Sequence, residues 1–314
     1  MKKVWLDGCF DVFHYGHANA IRQARAYGDY VYVGIHSFED IEKNKSLPVM
    51  LDDERYEVLK SCKWADEVVM NTPYVTEMSI VKKFGCSLVV HGNDIVTDVD
   101  GHDTYHKVKA EGSFKTVNRT MGISTTEIVG RMLLRESRQV SVQESMGNEN
   151  INQLVEIFRG EKKEKSGKVI FIDGIFDLFH AGHAKALENA KKNGDYLLVG
   201  LHRDEEVKKY SKSSPIFNEK ERLLLLLANK YVDEVIFTPY IIDGSFVATH
   251  QITNIFPSYD IKDLSRFSSV KEIVEHDFCE NKFSYLSTDQ IINRIITNYQ
   301  AFADKQKKKN IFYD

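Results

Sequence analysis

The chain has 314 residues, of which 42% are hydrophobic and 28% are charged, and its formal net charge at pH 7 is −4. This length predicts two domains of about 150 residues each, and the composition excludes wholesale disorder. The small negative charge excludes the broad basic surface of most nucleic-acid-binding proteins, so we expect no nucleic-acid partner.

Short β-rich runs alternate with segments of helical period in the first half of the chain. The pattern predicts strands at 4–6, 30–35, 67–70 and 87–90 and helices at 17–27 and 52–62. This alternation is typical of βαβ units, which build a parallel sheet. Ligands of such sheets bind beyond the carboxyl ends of the strands, where the loops that begin at Gly8 and His91 are expected.

The second half of the chain repeats the first. The string DGCFDVFHYGHA begins at Asp7, and DGIFDLFHAGHA begins at Asp173. Shorter matches follow in the same order, namely GDY at Gly28 and Gly194, DEV at Asp66 and Asp233, and TPY at Thr72 and Thr238. Such self-similarity indicates a duplicated domain. The sequence therefore predicts an α/β protein with two tandem doubly wound parallel-sheet domains.

The expected domain boundaries follow from the repeats. Residues 1–136 are expected to form an N-terminal domain, and residues 168–300 a C-terminal domain. The polar segment 137–167 links them and can hold one short amphipathic helix around Ile151 and Phe158. Residues 301–314 form a basic tail that is too short and too polar to bind a membrane strongly.

The cysteines and the apolar runs indicate where in the cell the protein is expected. The four cysteines form no C-x-x-C pair, which argues against a zinc ribbon or a disulfide framework. The longest apolar run, Leu223 to Ala228, is too short to span a bilayer, and Asp7 interrupts the first apolar stretch before a signal peptide can form. We expect a cytoplasmic protein without stable membrane insertion.

The H-x-G-H element at residues 14–17 has the features of a phosphate site. It lies in a loop before a predicted helix, where Gly16 would let a phosphate approach the backbone and the helix N-terminus would favour an anion. His14 and His17 could donate hydrogen bonds to charge that develops on a reacting phosphate. A lone H-x-x-H more often marks a core histidine or half of a metal site, but the string G-x-F-D-x-F-H-x-G-H is far longer than a chance match.

That string resembles the signature of the cytidylyltransferase branch of the H-x-G-H nucleotidyltransferases, and both repeats have it. The segment that begins at Arg119 is similar to a second signature of that family, R-T-x-G-I-S-T-T. Segments at Val90 and Asp100 further resemble the ethanolamine-phosphate cytidylyltransferases, which are also tandem duplications. The resemblance covers nearly the whole chain. It implies Rossmann-like domains that transfer the cytidylyl group of CTP to phosphoethanolamine, in phosphatidylethanolamine biosynthesis.

The resemblance also implies roles for individual residues. The implied catalytic residues are His14, His17, Lys45 and Arg119. The implied CTP-binding residues are Gly8, Cys9, Phe10, Gly16, His91, Gly92, Asp94, Thr120, Ile123, Ser124, Thr125 and Thr126. The implied phosphoethanolamine-binding residues are Asp11, Arg55 and Tyr105. Magnesium is expected to arrive with the triphosphate of CTP, without a metal site on the protein.

Several of these residues also have an ordinary structural explanation. Ser124 and Glu127 can form a capping box that opens a helix through Leu134. Lys45 can be a solvated loop lysine, and Arg55 can form a helix-surface ion pair with its acidic neighbours.

Asp11 and Asp94 are equally typical of turns and helix caps.

The second repeat keeps the first signature and loses the second. Its intact histidine pair leaves open a second nucleotide site, formed by Ile175, Phe176, His180, Gly182, His183, Lys212, His250, Ser287 and Thr288. An alignment of Ser287 with Ser124 puts Tyr285 opposite Gly122 and Lys282 opposite Arg119, and we align His250 with His91. We expect this domain to pack against the first and not to turn over nucleotide.

Three rival functions share some of these features. Choline-phosphate cytidylyltransferases usually have one catalytic domain and a long amphipathic membrane helix, and neither matches this chain. Class I aminoacyl-tRNA synthetases share the histidine motif, but the chain has no K-M-S-K-S-like loop and no basic surface for tRNA. A non-catalytic CTP-binding regulator would keep the loops without releasing pyrophosphate. The sequence leaves a homodimer open.

Overall fold

The computed structural model describes residues 1–136, 148–161, 163–211, 214–257, 261–275 and 280–308. They fall into two compact units. Unit 1 comprises Met1–Met146 and Asp289–Asp314, and unit 2 comprises Gly147–Thr288. Among the described residues, no helix combines the length and the hydropathy that a bilayer crossing requires.

Unit 1 is built on a parallel sheet of five strands in the order β3-β2-β1-β4-β5. The strands are β1 (Lys3–Gly8), β2 (Tyr30–His36), β3 (Glu67–Thr72), β4 (Val89–Gly92) and β5 (Phe114–Val117). The helices are α1 (Tyr15–Ala24), α2 (Phe38–Asn44), α3 (Asp52–Ser61), α4 (Met78–Lys83), α5 (His106–Ala110) and α6 (Thr125–Glu136).

The central strands of this sheet are buried along nearly their whole length. Val4 and Val31 are both 0% exposed, as strands covered on both faces require. The predicted strands at 4–6, 30–35 and 67–70 are present, and the strand predicted at 87–90 lies two residues later, as β4. The predicted helix at 17–27 corresponds to α1 and a 3₁₀ turn at Arg25–Tyr27. The strand order reverses between β1 and β4, so the loops after these two strands meet at the switch point of the sheet.

Unit 2 has a parallel sheet of four strands in the order β8-β7-β6-β9. The strands are β6 (Val169–Gly174), β7 (Tyr196–Leu201), β8 (Glu234–Phe237) and β9 (Asn254–Phe256). The helices are α7 (Asn148–Arg159), α8 (Ala181–Lys191), α9 (Asp204–Tyr210), α10 (Glu219–Leu227) and α11 (Gly244–His250). The predicted α/β fold with two tandem parallel sheets is confirmed.

Helix α7 is the amphipathic helix that the sequence predicts between the repeats. It packs on α10, and its apolar residues Ile151, Val155 and Phe158 are buried.

Two further helices end the described chain, α12 (Thr288–Thr297) and α13 (Tyr299–Lys308). Helix α13 packs on α6 in unit 1. The expected C-terminal domain at 168–300 and unit 2 therefore differ at both ends, because α7 packs within unit 2 whereas the residues from Asp289 onward belong to unit 1. The expected tail at 301–314 begins inside α13, and its last residues, 309–314, lie outside the described ranges.

Candidate active site

The H-x-G-H loop connects β1, which ends at Gly8, to α1, whose N-cap is His14. Its backbone is left-handed at Phe10 (φ 49°) and at Val12 (φ 45°). This conformation is strained for a β-branched residue such as valine and persists only where the surroundings impose it. Both side chains are buried, at 5% and 4% exposure, so packing holds the loop in this shape.

Asp11, between the two left-handed residues, ties the loop to the rest of unit 1. Its carboxylate accepts the N–H groups of Val49 at 2.9 Å and of Met50 at 2.8 Å, and its carbonyl accepts the hydroxyl of Thr125 at 2.9 Å. Asp11 thus has the structural function that a turn aspartate can have. Its contact with phosphoethanolamine stays a prediction.

The two histidines of the motif lie face to face. Their ring centroids are 3.8 Å apart with an interplanar angle of 20°. Nδ1 of His17 accepts the backbone N–H of His14 at 3.4 Å, so a neutral His17 carries its proton on Nε2. Desolvation and the charge of Lys45 lower the pKa of His17 to about 3. Both rings are neutral at pH 7, because desolvation, with His17, Arg119, Arg131 and Lys45, also holds the pKa of His14 well below its usual value.

Gly16 is required by the close packing around the first histidine. A Cβ at this position would lie 2.9 Å from Nδ1 of His14 and 3.0 Å from Cγ2 of Ile123. Nδ1 of His14 is buried and has no hydrogen-bond partner among the described residues, which leaves Nε2 as the nitrogen that can reach a ligand. Ile123, a predicted CTP-binding residue, therefore packs directly at the H-x-G-H loop.

The two predicted catalytic cations lie near the histidines. The exposed Lys45 donates from Nζ to Sγ of Cys9 at 3.8 Å, and its charge lowers the pKa of His14, His17 and His91. The charge of Arg119 also lowers the pKa of His14. The structure therefore brings the four predicted catalytic residues together at the N-terminus of α1.

The loop after β4 contributes His91, Gly92 and Asp94. Nδ1 of His91 lies 3.1 Å from the carbonyl of Gly92, and its ring centroid is 4.5 Å from that of Tyr105. Burial lowers the pKa of His91, against the opposing effect of Asp94. Asn93 accepts the backbone N–H of Arg119 through Oδ1 at 3.2 Å, so this loop contacts the second signature.

Tyr105 points inward, to the end of β1. Its hydroxyl donates to Oδ1 of Asp7 at 2.9 Å, and burial followed by the charge of Asp7 raises its pKa well above the usual value. Oδ2 of the same carboxylate accepts from Trp5 at 2.8 Å and from Thr76 at 2.7 Å. Asp7 thus has three neutral donors, and the predicted contact of Tyr105 with phosphoethanolamine stays untested.

One alternative expects Arg55 to lie on the surface of its helix. The side chain is instead buried, at 2% exposure. Its guanidinium donates to the carbonyl of Cys9 at 2.7 Å and to that of His36 at 2.9 Å, and it pairs with Asp52. Arg55 therefore braces the ends of β1 and β2, and its contact with phosphoethanolamine remains a prediction.

The second signature opens α6. The hydroxyl of Ser124 accepts the N–H of Glu127 at 3.1 Å, which is the serine half of the predicted capping box, while the carboxylate of Glu127 pairs with Arg131 at 2.7 Å. Gly122 is left-handed, with φ 78°. Thr120 accepts from Nδ2 of Asn19 in α1 at 2.9 Å, so this segment lies beside the helix that begins with the histidine pair.

Thr126, the second residue of α6, is buried at 8% exposure.

Tyr74 is a candidate site residue that the motif analysis missed. Its hydroxyl is buried and has no hydrogen-bond partner among the described residues. Burial raises its pKa, and the nearby Cys9 and Asp98 raise it further. The polar tip therefore lies near the groups that surround Lys45. The repeated Thr-Pro-Tyr string just after a predicted strand was the signal that could have identified it.

Unit 2 contains a closely similar histidine pair. The rings of His180 and His183 are 3.9 Å apart, and Nδ1 of His183 accepts the N–H of His180 at 3.3 Å. The backbone is again left-handed at Phe176 (φ 55°) and Leu178 (φ 45°). Asp177 accepts the N–H groups of Ile216 and Phe217, both at 2.9 Å, so the whole loop is preserved.

The other predicted residues of the second site follow the first repeat in part. Thr288 donates to the carbonyl of Asp177 at 3.4 Å, as Thr125 does to Asp11, and the carbonyl of Ile175 accepts from Arg222 at 2.6 Å. Gly182 lies in the first turn of α8, and Ser287 directly precedes α12. Lys212 lies outside the described residues.

The alignment of His250 with His91 is wrong. Strand β9 pairs Ile255 with Phe171, just as β4 pairs Val89 with Trp5, which places Pro257 opposite His91. His250 ends α11 ahead of the strand, so it precedes the edge where ligands bind. It is therefore not part of a site beyond the carboxyl ends of the unit 2 strands.

These features define a nucleotidyltransferase type of phosphate site, with paired histidines at a helix N-terminus on the switch point of a parallel sheet. A family model described as cytidylyltransferase-like matches residues 5–131 and 171–294. The chain belongs to this cytidylyltransferase-like family.

The relatives that match along the whole chain have one name in common. The chain is 50% identical to a probable ethanolamine-phosphate cytidylyltransferase of Encephalitozoon cuniculi, over 98% of both chains. It is 36% identical to the ethanolamine-phosphate cytidylyltransferase of Mus musculus, over 98% of this chain and 89% of that protein. Similarity to choline-phosphate cytidylyltransferase 2 of Arabidopsis thaliana, at 41% identity, covers 42% of this chain and 44% of that protein. The predicted family is confirmed.

Proposed function

We propose that the chain transfers the cytidylyl group of CTP to phosphoethanolamine, giving CDP-ethanolamine and pyrophosphate. The observation that carries the proposal is the convergence of His14, His17, Lys45 and Arg119 at the N-terminus of α1. The acceptor is supported by the relatives that match along 98% of the chain, which are named for ethanolamine phosphate, whereas matches to choline-phosphate cytidylyltransferases cover 42% and 61% of it.

The reaction needs no nucleophile from the protein. A phosphate oxygen of phosphoethanolamine attacks the α-phosphorus of CTP, a new P–O bond forms, and pyrophosphate leaves with the electrons of the broken P–O bond. The acceptor brings its own ionised oxygen, so a general base is not required. Catalysis then depends on in-line positioning and on stabilisation of the charge that develops on the phosphate oxygens.

Each converging group has a part in this stabilisation. His17 is neutral and carries its proton on Nε2, so it can donate a hydrogen bond to a phosphate oxygen without being a proton acid. Lys45 and Arg119 supply positive charge, and the N-terminal end of the α1 dipole favours an anion. Because the imidazoles are neutral, most of the charge that attracts the triphosphate comes from these two cations.

Magnesium does not fit this set of side chains as a resident ion. The groups that converge here are imidazoles and cations, whereas magnesium prefers oxygen ligands, usually one or two carboxylates together with substrate phosphates. We propose that the ion is bound by the phosphates of CTP, and we assign no step to it. The cytoplasmic location, the place in phosphatidylethanolamine synthesis and a homodimer also belong to the proposal.

One assay tests the function. The purified chain is incubated with CTP, magnesium and either phosphoethanolamine or phosphocholine, and pyrophosphate release is measured. We expect strong preference for phosphoethanolamine. Equal turnover of the two acceptors would contradict the assignment of the acceptor. Binding of CTP without pyrophosphate release from either acceptor would identify a regulator instead of an enzyme.

A further inference from the structure

An arginine from near the end of the chain pairs with a buried carboxylate in α3. Nη1 of Arg294 donates to Oε2 of Glu54 at 2.6 Å, and Nη2 donates to Oε1 at 2.7 Å. Glu54 is 0% exposed, and its Oε2 also accepts the N–H of Leu51 at 2.9 Å. A bidentate pair of this kind fixes the direction as well as the distance between its partners. Glu54 and the start of α3 are therefore held by Arg294.

The same guanidinium also reaches the segment that holds the H-x-G-H loop. Nη1 of Arg294 donates to the carbonyl of Val49 at 3.1 Å. On its other side, the N–H groups of Val49 and Met50 donate to the carboxylate of Asp11. Val49 is thus hydrogen-bonded to Arg294 through its carbonyl and to Asp11 through its N–H. A single residue separates the arginine from the strained loop.

Residues 49–54, which include Val49 and Glu54, lie in the sequence between two residues of the active-site region. Lys45 precedes it, at the end of α2, and Arg55 follows Glu54 and donates to the carbonyl of Cys9. Displacement of residues 49–54 would therefore move the lysine and the backbone of the H-x-G-H loop together. A shift of about 1 Å in a reacting geometry can cost on the order of 10²-fold in rate.

Arg294 comes from the second repeat of the sequence. It lies in the second stretch that the family model matches, at 171–294, yet it belongs with Glu54 to unit 1. A side chain encoded by the second repeat thus pairs with a buried carboxylate of unit 1.

We propose that Arg294 is a positioning residue for the active site of unit 1, acting through Glu54 and Val49 on Asp11 and Lys45. The proposal rests on the proposed function only for the identity of the reaction. The second repeat thereby contributes to turnover without binding a substrate of its own.

The test compares Arg294→Met and Arg294→Lys with a matched control, Arg25→Met, all in the full chain. Arg25 also forms a bidentate pair, with Asp66 at 2.6 and 3.0 Å, and it also donates to a backbone carbonyl, that of Asp29. Asp66 accepts the N–H of Val31, so this pair lies at the amino ends of the strands, away from the H-x-G-H loop. Folding is monitored by circular dichroism and thermal melting.

We expect Arg294→Met to lower kcat about tenfold while KM for CTP changes less than about twofold, because the bound geometry and not the nucleotide contact is altered. Arg294→Lys should have a kcat between those of Arg294→Met and the parent, since lysine keeps the positive charge and cannot form the bidentate pair. Arg25→Met should keep the parent kcat. Amide hydrogen exchange at Val49 and Met50 should accelerate in both Arg294 variants and not in the control.

Parent values of both kcat and exchange in the folded Arg294 variants would overturn the proposal. If Arg294→Met does not fold, the kcat and the amide exchange of Arg294→Lys test the proposal, because lysine preserves the charge beside Glu54. Hydrogen exchange needs no turnover. A parent protein that releases no pyrophosphate would therefore contradict the proposed function and still leave the role of Arg294 to be judged.

Discussion

Arg266 pairs with Asp173 through both of its Nη atoms, and both side chains are almost fully buried in unit 2. In spite of its burial, Asp173 has a lowered pKa, because His202 and Arg266 donate hydrogen bonds to it. The corresponding carboxylate in unit 1, Asp7, has only neutral donors as the hydrogen-bond partners described above. The two units thus share a histidine loop and differ in the charge packed behind it.

The altered second signature of unit 2 supports an unequal contribution of the two histidine pairs to turnover. We predict that His14→Gln with His17→Gln abolishes pyrophosphate release, whereas His180→Gln with His183→Gln leaves an appreciable fraction of kcat. The reason is that unit 2 has Tyr285 in place of the left-handed Gly122 and Lys282 in place of Arg119. Both proteins are assayed at saturating CTP and checked by circular dichroism. Comparable losses in two folded proteins would show that the active unit is wrongly assigned.

A single substitution examines the type of catalysis. We predict that His17→Ala lowers kcat by about 10² with a smaller change in KM, because a donor to developing charge contributes most in the transition state. Steady-state kinetics with both substrates varied gives the two parameters. An effect confined to KM would instead make His17 a residue of ground-state binding.

The contact of Gly16 with His14 predicts a steric effect. We expect Gly16→Ala to lower kcat about tenfold or more, because the added methyl group would lie 2.9 Å from Nδ1 and displace the ring. Gly244→Ala is the matched control, since Gly244 also lies in the first turn of a helix and a Cβ there meets no atom within 4 Å. Equal kcat for the two variants would mean that the ring of His14 has room to move without loss of function.

The unpartnered hydroxyl of Tyr74 predicts opposite effects on stability and on activity. Removal of a buried hydroxyl without a partner should leave the free energy of unfolding unchanged or raise it, so Tyr74→Phe should melt no lower than the parent. If the hydroxyl binds phosphoethanolamine, KM for this acceptor should rise several-fold, roughly the loss of one hydrogen bond, while KM for CTP stays constant. An unchanged KM for phosphoethanolamine would exclude Tyr74 from the acceptor site.

The lowered pKa of His17 predicts how stability depends on pH. The folded protein keeps this ring neutral down to about pH 3, whereas the unfolded chain binds a proton below its ordinary value of 6.5. The free energy of unfolding should therefore fall as pH falls below 6.5, by up to about 1.4 kcal/mol per pH unit for this ring. We expect His17→Gln to reduce the loss of stability between pH 7.5 and pH 5, measured by urea unfolding. An identical loss in parent and variant would contradict the low pKa.

Much of the fold follows from local sequence patterns. The buried strands β1 and β2 contain the apolar runs VWL and YVYVGI, and the order of strands and helices places the loops after Gly8 and Gly92 at one edge of the sheet. The cap at Ser124 was equally readable, since it depends on residues three apart.

Other features depend on contacts that no local pattern encodes. The left-handed Val12 contradicts the backbone preference of valine and is imposed by the packing of the loop. The pair of Glu54 and Arg294 joins segments far apart in the sequence. The misplaced His250 has a particular cause, because Gln251 takes the left-handed position (φ 57°) that Gly85 (φ 74°) has in the first repeat, and the glycine that would have marked the register is absent.

The membership of Asp289–Asp314 in unit 1 has a consequence for how the duplication can evolve. A gene fragment that ends after the first repeat encodes every histidine and cation of the proposed site, yet it omits the helices that complete the surrounding structure. A chain ending at Glu136 would lack Arg294, whose guanidinium donates to both carboxylate oxygens of Glu54. Loss of the second repeat would therefore also remove side chains that unit 1 uses, even if that repeat binds nothing.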